Sequence, residues 1–225
     1  MKMIFGVDSS IPANTRLSNG YQLYDWVMRM NCCPAFWART ISGFNRLTAD
    51  EVDFLHSKNC KAALIFDDLT EASVSTNSGI DDALRAIDAA NAIGVPTGNG
   101  IAIFALIRED WSINHNWMIS YADTLIANGY APGFIGNTDS SKNFNFDRQC
   151  SHYVEFLGEA AHDNIAYWAT EPKPVDEPTV WAPYCPSAMT PEQIDIWSSG
   201  SKIGFQDITV NVNYAHDPSE LRFMW

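Results

Sequence analysis

The chain has 225 residues, 46% hydrophobic and 18% charged, a globular composition that excludes a disordered, collagenous or coiled-coil chain. Its 14 basic and 27 acidic residues leave a formal net charge of −13, with no basic cluster, which argues against nucleic acid or an anionic membrane as a partner. The longest apolar run, Ile101 to Ile107, falls far short of the roughly 20 residues that span a bilayer, so no membrane partner is expected.

The segment from Met1 to Asp8 lacks the apolar stretch and small-residue cleavage site of a secretory signal. The five cysteines, Cys32, Cys33, Cys60, Cys150 and Cys185, are odd in number and contain no C-x-x-C, so neither a disulfide framework nor a zinc site is expected. The five histidines are scattered without ligand spacing, and no cofactor is called for.

Hydrophobic periodicity predicts alternating strands and helices. Ile4–Val7 reads as a first strand, ending at Asp8. Asn19–Met30 has helical spacing, and Pro34–Ile41 reads as a second strand. Thr48 and Glu51 form a capping box for a helix over Ala49–Ser57. Lys61–Phe66 is a third strand, ending at Asp67-Asp68. An Ala-rich helix over Gly79–Ile93 stops at Gly94, with Pro96 beyond. A fourth strand over Gly100–Ile107 precedes a helix over Ile113–Asn128. Strand five is Pro132–Gly136, followed by a helix over Phe146–His162 and a sixth strand over Ile165–Ala169. A Pro-rich loop covers Pro172–Pro186, and Pro191 opens a short helix. Ile203–Gln206 and Thr209–Tyr214 complete eight strands.

Repeated βα units with short loops predict a mostly parallel sheet, and eight of them in this length fit one (β/α)₈ barrel domain over residues 1–225. An open doubly wound sheet is the alternative, weakened by the lack of a Gly-x-Gly-x-x-Gly turn after strand one.

Active sites of such barrels lie at the C-terminal ends of the strands. Those ends carry Asp8, Arg39, Asp67-Asp68, Glu109, Asn137, Thr170-Glu171, Gln206 and Asn211, among the aromatics Trp37, Tyr167 and Trp168. Carboxylates that move protons, amides that bind hydroxyls and aromatic faces that pack on rings suit a glycan.

Phe5-Gly-Val-Asp8-Ser-Ser, Trp37-Ala-Arg39, Leu47-Thr-Ala-Asp-Glu51 and Ile103-Phe-Ala-Leu-Ile-Arg-Glu109 occur in that order. Gly129-Tyr130, Phe134-Ile-Gly136, Tyr167-Trp168-Ala169, Phe205-Gln206 and Val210-Asn-Val-Asn213 follow them. This series resembles the glycoside-hydrolase-like barrels related to the glycoside hydrolase family 25 lysozymes, over nearly the whole chain. The resemblance implies hydrolysis of an amino-sugar polymer such as peptidoglycan, with extracellular or cell-wall action by analogy. Two of the usual carboxylates are replaced, by Ile107 and Asn211. Hence the alternative is a catalytically degenerate barrel that binds glycan or a protein partner.

Hydrolysis needs a proton donor and a second group at the anomeric centre. Glu109 matches the donor position, where apolar neighbours would keep it protonated. Asp8 or Asp67 is the second group; alternation leaves only one of Asp67 and Asp68 to face the mouth. Asp68, Trp37, Asn137, Tyr167, Trp168, Gln206 and Asn211 are the expected substrate-binding residues. Arg39 either holds a substrate carboxylate or pairs with Asp8 or Glu109.

Overall fold

In the computed structural model, residues 3–30, 32–158, 164–170 and 180–225 are described. The expected end of the sixth helix with His162, the strand-end residue Glu171 and residues 172–179 of the Pro-rich loop lie outside them.

Eight strands close into a barrel in sequence order: β1 (Ile4–Asp8), β2 (Phe36–Thr40), β3 (Lys61–Phe66), β4 (Ala102–Leu106), β5 (Ala131–Asn137), β6 (Ala166–Thr170), β7 (Ile196–Phe205) and β8 (Ile208–Ala215). The helices are α1 (Leu23–Arg29), α2 (Ala49–Ser57), α3 (Glu71–Val74), α4 (Ile80–Ala92), α5 (His115–Ala127) and α6 (Asn145–Leu157). Pairing is parallel from β1 through β7. The last strand, β8, runs antiparallel to both β7 and β1 and closes the ring. The reason is the length of its connection. Only Gln206 and Asp207 separate β7 from β8, with Gln206 in the left-handed region (φ 53°). A two-residue link makes a hairpin, because a parallel crossover needs about a dozen residues.

Strand β7 also starts seven residues before the expected Ile203, at Ile196, with an irregularity in pairing between Ser198 and Lys202. The β7–β8 hairpin is thus longer than its neighbours, which run to five to seven residues.

Two apolar layers follow from the period-2 alternation of strand side chains. Phe36, Ala38, Ala63, Ile65, Phe104, Ile135, Trp168 and Ile196 fill the barrel interior. Val7, Trp37, Leu64, Phe66, Ile103, Phe134 and Tyr167 face outward and pack beneath the helices. Inside, large residues sit beside glycines. Gly133 is the register partner of Phe104, and a Cβ there would lie 2.5 Å from that ring. Phe223 and Met224 join the interior cluster from the N-terminal end of β3, where Lys61 Nζ donates to the Met224 carbonyl at 3.1 Å.

Thr48 caps α2, its side chain accepting the Glu51 N–H at 3.2 Å. The Glu51 carboxylate does not return to the cap, as the capping-box reading expected. It turns inward, accepts from Arg39 Nε at 3.0 and 3.2 Å and from the Ala13 N–H at 2.8 Å. Both partners of this ion pair are buried. Burial pushes the Glu51 carboxyl up, while the Arg39 guanidinium and the Ala13 N–H pull it back.

All five cysteines are free thiols, with Cys33 exposed and Cys60 and Cys150 buried. Burial pushes the Cys60 thiol up to about 12, chiefly by desolvation, and raises that of Cys150 as well. Thiolate is the reactive form. Under native conditions a thiol reagent should therefore label Cys33 first and Cys60 and Cys150 only on unfolding; rapid native labelling of Cys150 would contradict this packing. Arg39→Met, which leaves Glu51 buried without its cation, should cost about 3–5 kcal/mol in chemical denaturation, and Arg39→Met with Glu51→Leu should recover most of it. Equal stabilities for the single and double variants would show that the pair is not coupled.

Candidate functional site

A cavity of about 530 Å³ opens at the C-terminal ends of the strands. Its walls differ. On one side β1, β8 and β7 present Asp8, Asn211, Thr209, Lys202 and Ser198. On the other, β3 to β6 present Ile65, Leu106, Ile135 and Trp168, with Thr170 at the strand end. The loop residues Ser9 and Ser10 complete the polar side.

Asp8 is the centre of the polar wall. Asn211 Nδ2 donates to its Oδ1 at 2.7 Å and Asn213 Nδ2 to its Oδ2 at 2.9 Å. A chain of bonds orients the second amide. Trp168 Nε1 donates to Ser198 Oγ at 2.8 Å, and Ser198 Oγ donates to Asn213 Oδ1 at 2.6 Å. The indole N–H can only donate, so the serine hydroxyl must pass its own proton on, and the Asn213 NH₂ is left facing Asp8. Burial raises the Asp8 carboxyl above its ordinary value, opposed by the two amides and by the nearby Lys202 charge.

Of the residues expected from the sequence, Asp8, Arg39, Trp168 and Asn211 line this cavity. Arg39 does so without offering its guanidinium. Its Nε is held by Glu51, one terminal nitrogen donates to the Ser9 carbonyl at 2.7 Å, and the other to the Asn45 carbonyl at 2.6 Å. The expected pairing of Arg39 with Asp8 or Glu109, and its role as a substrate clamp, are corrected by this arrangement: the outward register of position 39 aims the side chain at α2.

Trp37 and Tyr167 share that outward register and are buried in the layer under the helices, not at the mouth. Gln206 sits in the exposed hairpin turn and accepts from Ser18 Oγ at 3.2 Å. Asp67 accepts from Ser42 Oγ at 2.5 Å, and Asp68 is in an ion pair with Arg85 of α4. The two aspartates therefore diverge as alternation requires, though neither lines the cavity.

Glu109 lies on the turn after β4, exposed, and does not line the cavity. The apolar enclosure expected for it is absent, because the chain leaves the strand at Leu106. Asn137 Nδ2 holds Glu109 Oε2 at 3.1 Å. Asn137 is the register partner of Thr170, which lines the cavity, so Glu109 is tethered to a neighbour of the rim. At the end of β4 the residue facing the cavity is Leu106, while Ile107 is buried in the outer layer.

Sequence reasoning missed Ser198 and Lys202, since β7 was placed too late in the chain. The available signal was the two-residue gap before β8, which demands two hairpin strands of matching length. Among the described residues no group of three His, Cys, Asp or Glu side chains is arranged to hold a metal ion.

The raised Asp8 carboxyl has a consequence for stability. A carboxylate whose folded value lies above its unfolded value of about 3.8 adds stability at low pH and loses it as pH rises through the folded value. The stability difference between wild type and Asp8→Asn should therefore shift in favour of wild type as pH falls from 7 toward 4, measured by urea denaturation. A difference that stays constant across that range would show that Asp8 is not held in a desolvated site.

Comparison with family models and with curated proteins finds no match. Solved structures do match. An uncharacterised B. stearothermophilus protein is 23% identical, with a TM-score of 0.81, and the alignment covers 99% of this chain and 100% of that one. A Tat-secreted protein of Mycobacterium tuberculosis, crystallised with L-tartrate, is 14% identical over 97% of this chain and 98% of its own, with a TM-score of 0.58. The bacterial lysozyme of Streptomyces coelicolor is 11% identical over 99% of this chain and 96% of its own, with a TM-score of 0.57. The chain has the barrel fold of the glycoside hydrolase family 25 lysozymes and muramidases.

Proposed function

We propose that this barrel binds a carbohydrate in the cavity at its strand C-termini. The observation that carries this reading is the two-sidedness of the cavity, with hydrogen-bonding groups on β1, β8 and β7 and an apolar wall of Ile65, Leu106, Ile135 and Trp168. A sugar ring is built the same way, with hydroxyls at its edge and C–H groups on its faces. Asp8 accepts one amide bond at each oxygen, and an ionised carboxylate has lone pairs for more. Its remaining capacity suits sugar hydroxyls.

Hydrolysis of an amino-sugar polymer such as peptidoglycan is the second reading. It is favoured by the glycosidase fold and by Glu109, tethered to Asn137 beside the rim. Glu109 would donate the proton and Asp8 would stabilise the anomeric charge, with Asp67 the next candidate. Two-carboxylate hydrolysis requires both groups to flank the scissile bond within about 5–9.5 Å of each other. Among the described residues Asp8 is the only carboxylate that lines the cavity, so binding is the better supported of the two.

Calorimetric titration with chitooligosaccharides and peptidoglycan fragments tests the first reading. Wild type should bind, and Asp8→Asn should weaken binding about 10- to 100-fold, the loss expected for hydrogen bonds to a charged group. No heat with any sugar would discard it. Release of reducing ends tests the second. If wild type cleaves, Glu109→Gln should slow turnover by about 10²–10⁴, the usual contribution of a general acid. Unchanged cleavage by that variant would remove Glu109 from the mechanism.

A further inference from the structure

The end of the barrel opposite the cavity is closed by residues 217–225. Pro218–Phe223 form a short 3-10 turn, with Asp217 at its start accepting the Ser219 N–H at 2.7 Å. Phe223 and Met224 are buried in the interior apolar cluster, and Leu221 packs against it. Trp225 and Ala62 of β3 exchange both backbone hydrogen bonds, at 2.7 and 2.9 Å. The same cluster includes Trp168, which lines the cavity. These residues therefore form a plug at the foot of that apolar stack.

A pair of acids ties the plug to the sheet. Asp195 immediately precedes β7 and lies between β6 and β8. Its N–H donates to the Tyr167 carbonyl at 3.0 Å, and its carbonyl accepts the His216 N–H at 3.0 Å. Its side chain turns inward, where Oδ2 accepts the Tyr167 N–H at 2.6 Å. The Asp195 carboxyl also meets the Glu220 carboxyl of the plug in a side-chain hydrogen bond. Glu220 Oε1 accepts from Ser219 Oγ at 3.2 Å, and Oε2 is buried with no N–H or O–H reaching it among the described residues. An ionised carboxylate can only accept, so the contact between the two acids needs a proton on one of them.

The other titratable groups described around the pair do not replace that proton. Arg222 acts on Asp195 at longer range, its guanidinium lying over the Phe223 ring at 4.5 Å. His216 stacks on Trp181 at 4.9 Å and lies near Glu192 and Asp217. Burial keeps the Tyr167 phenol protonated. Desolvation, with Glu220 beside it, holds the Asp195 carboxyl well above its ordinary value, against the pull of the Tyr167 N–H and the Arg222 charge.

We propose that Asp195 and Glu220 share one proton and act as a pH-operated latch that docks residues 217–225 on the base of the barrel. A rise in pH passes that proton to solvent and leaves two negative charges in contact inside the fold. Like charges so placed repel, and the plug loosens. A carboxyl held above its unfolded value stabilises the docked state at low pH, and that contribution is lost as pH rises through the folded value. The latch is independent of what the cavity binds.

Hydrogen exchange of the Ala62 and Trp225 amides, read by NMR and scaled to the unfolded chain at each pH, tests this. In wild type their protection should fall about tenfold or more from about pH 5 to about pH 8, as linkage gives for a carboxyl held well above its unfolded value. Amides of β4 and β5 should fall less, because they open only with the whole barrel. Asp195→Asn and Glu220→Gln each put a permanent N–H donor into the contact. Either variant should keep the Ala62 and Trp225 protection constant over that range, and either one decides if the other fails to fold. Constant protection in wild type overturns the latch. So does a fall that persists in a folded amide variant, or one shared equally by β4 and β5, which would assign the titration to global unfolding.

Discussion

The guanidinium of Arg39 is the joint on which the mouth of the barrel depends. It is fully buried, lies on β2, and reaches the Glu51 carboxylate on α2, the Ser9 carbonyl after β1 and the Asn45 carbonyl after β2. Glu51 in turn holds the Ala13 N–H. One ion pair thus ties a helix and two loops to a single strand. A buried charge pair is tolerated only when the remaining donors and acceptors are also satisfied, and here carbonyls and an amide N–H do so. The cost of the arrangement is that the guanidinium of Arg39, which lines the cavity, is committed to protein partners. Its benefit is a fixed path for Ser9 and Ser10, which form part of the cavity wall.

A second constraint is the way the ring closes. Because β8 returns antiparallel between β7 and β1, residues from the two ends of the chain meet side by side. Asp8 and Asn211, 203 positions apart, are hydrogen bonded at 2.7 Å. The same closure aligns Asn213 and Ser198, so the relay from Trp168 to Asp8 runs across β6, β7, β8 and β1. Each link has a defined donor direction, because the indole at one end can only donate and at the other end the Asn213 amide donates to the Asp8 carboxyl oxygen. The result is a carboxylate held in a fixed orientation in a desolvated wall.

The position that the family resemblance assigns to an acid, residue 211, is an amide that donates to Asp8. Had it been a carboxylate, it would stand against Asp8 as a like charge and drive one of the two to keep its proton. As asparagine it donates to Asp8 instead.

Much of the fold was legible in the sequence. The order of the strands, the Thr48 cap and the helices α1, α2, α4, α5 and α6 follow from local periodicity and capping chemistry, the short α3 does not, and Asp8 and Trp168 were identified from their places at strand ends. Period-2 alternation also separates Trp168 inside from Tyr167 outside, once the register of β6 is known. Tertiary structure alone decided the partners. Glu51 reads as half of a capping box because its spacing from Thr48 is local, but the Arg39 charge, 12 positions away, attracts the carboxylate more strongly than a backbone N–H does. Glu109 reads as an enclosed acid because an apolar run precedes it, yet the strand ends at Leu106 and the chain turns out into solvent. Lys202 stands opposite Asn211 because a two-residue turn joins β7 to β8, whereas Ser198 reaches Asn213 only through the irregular pairing between Ser198 and Lys202. These are pairings between distant segments, set by strand register and by the burial of charge, and neither is encoded within a window of a few residues.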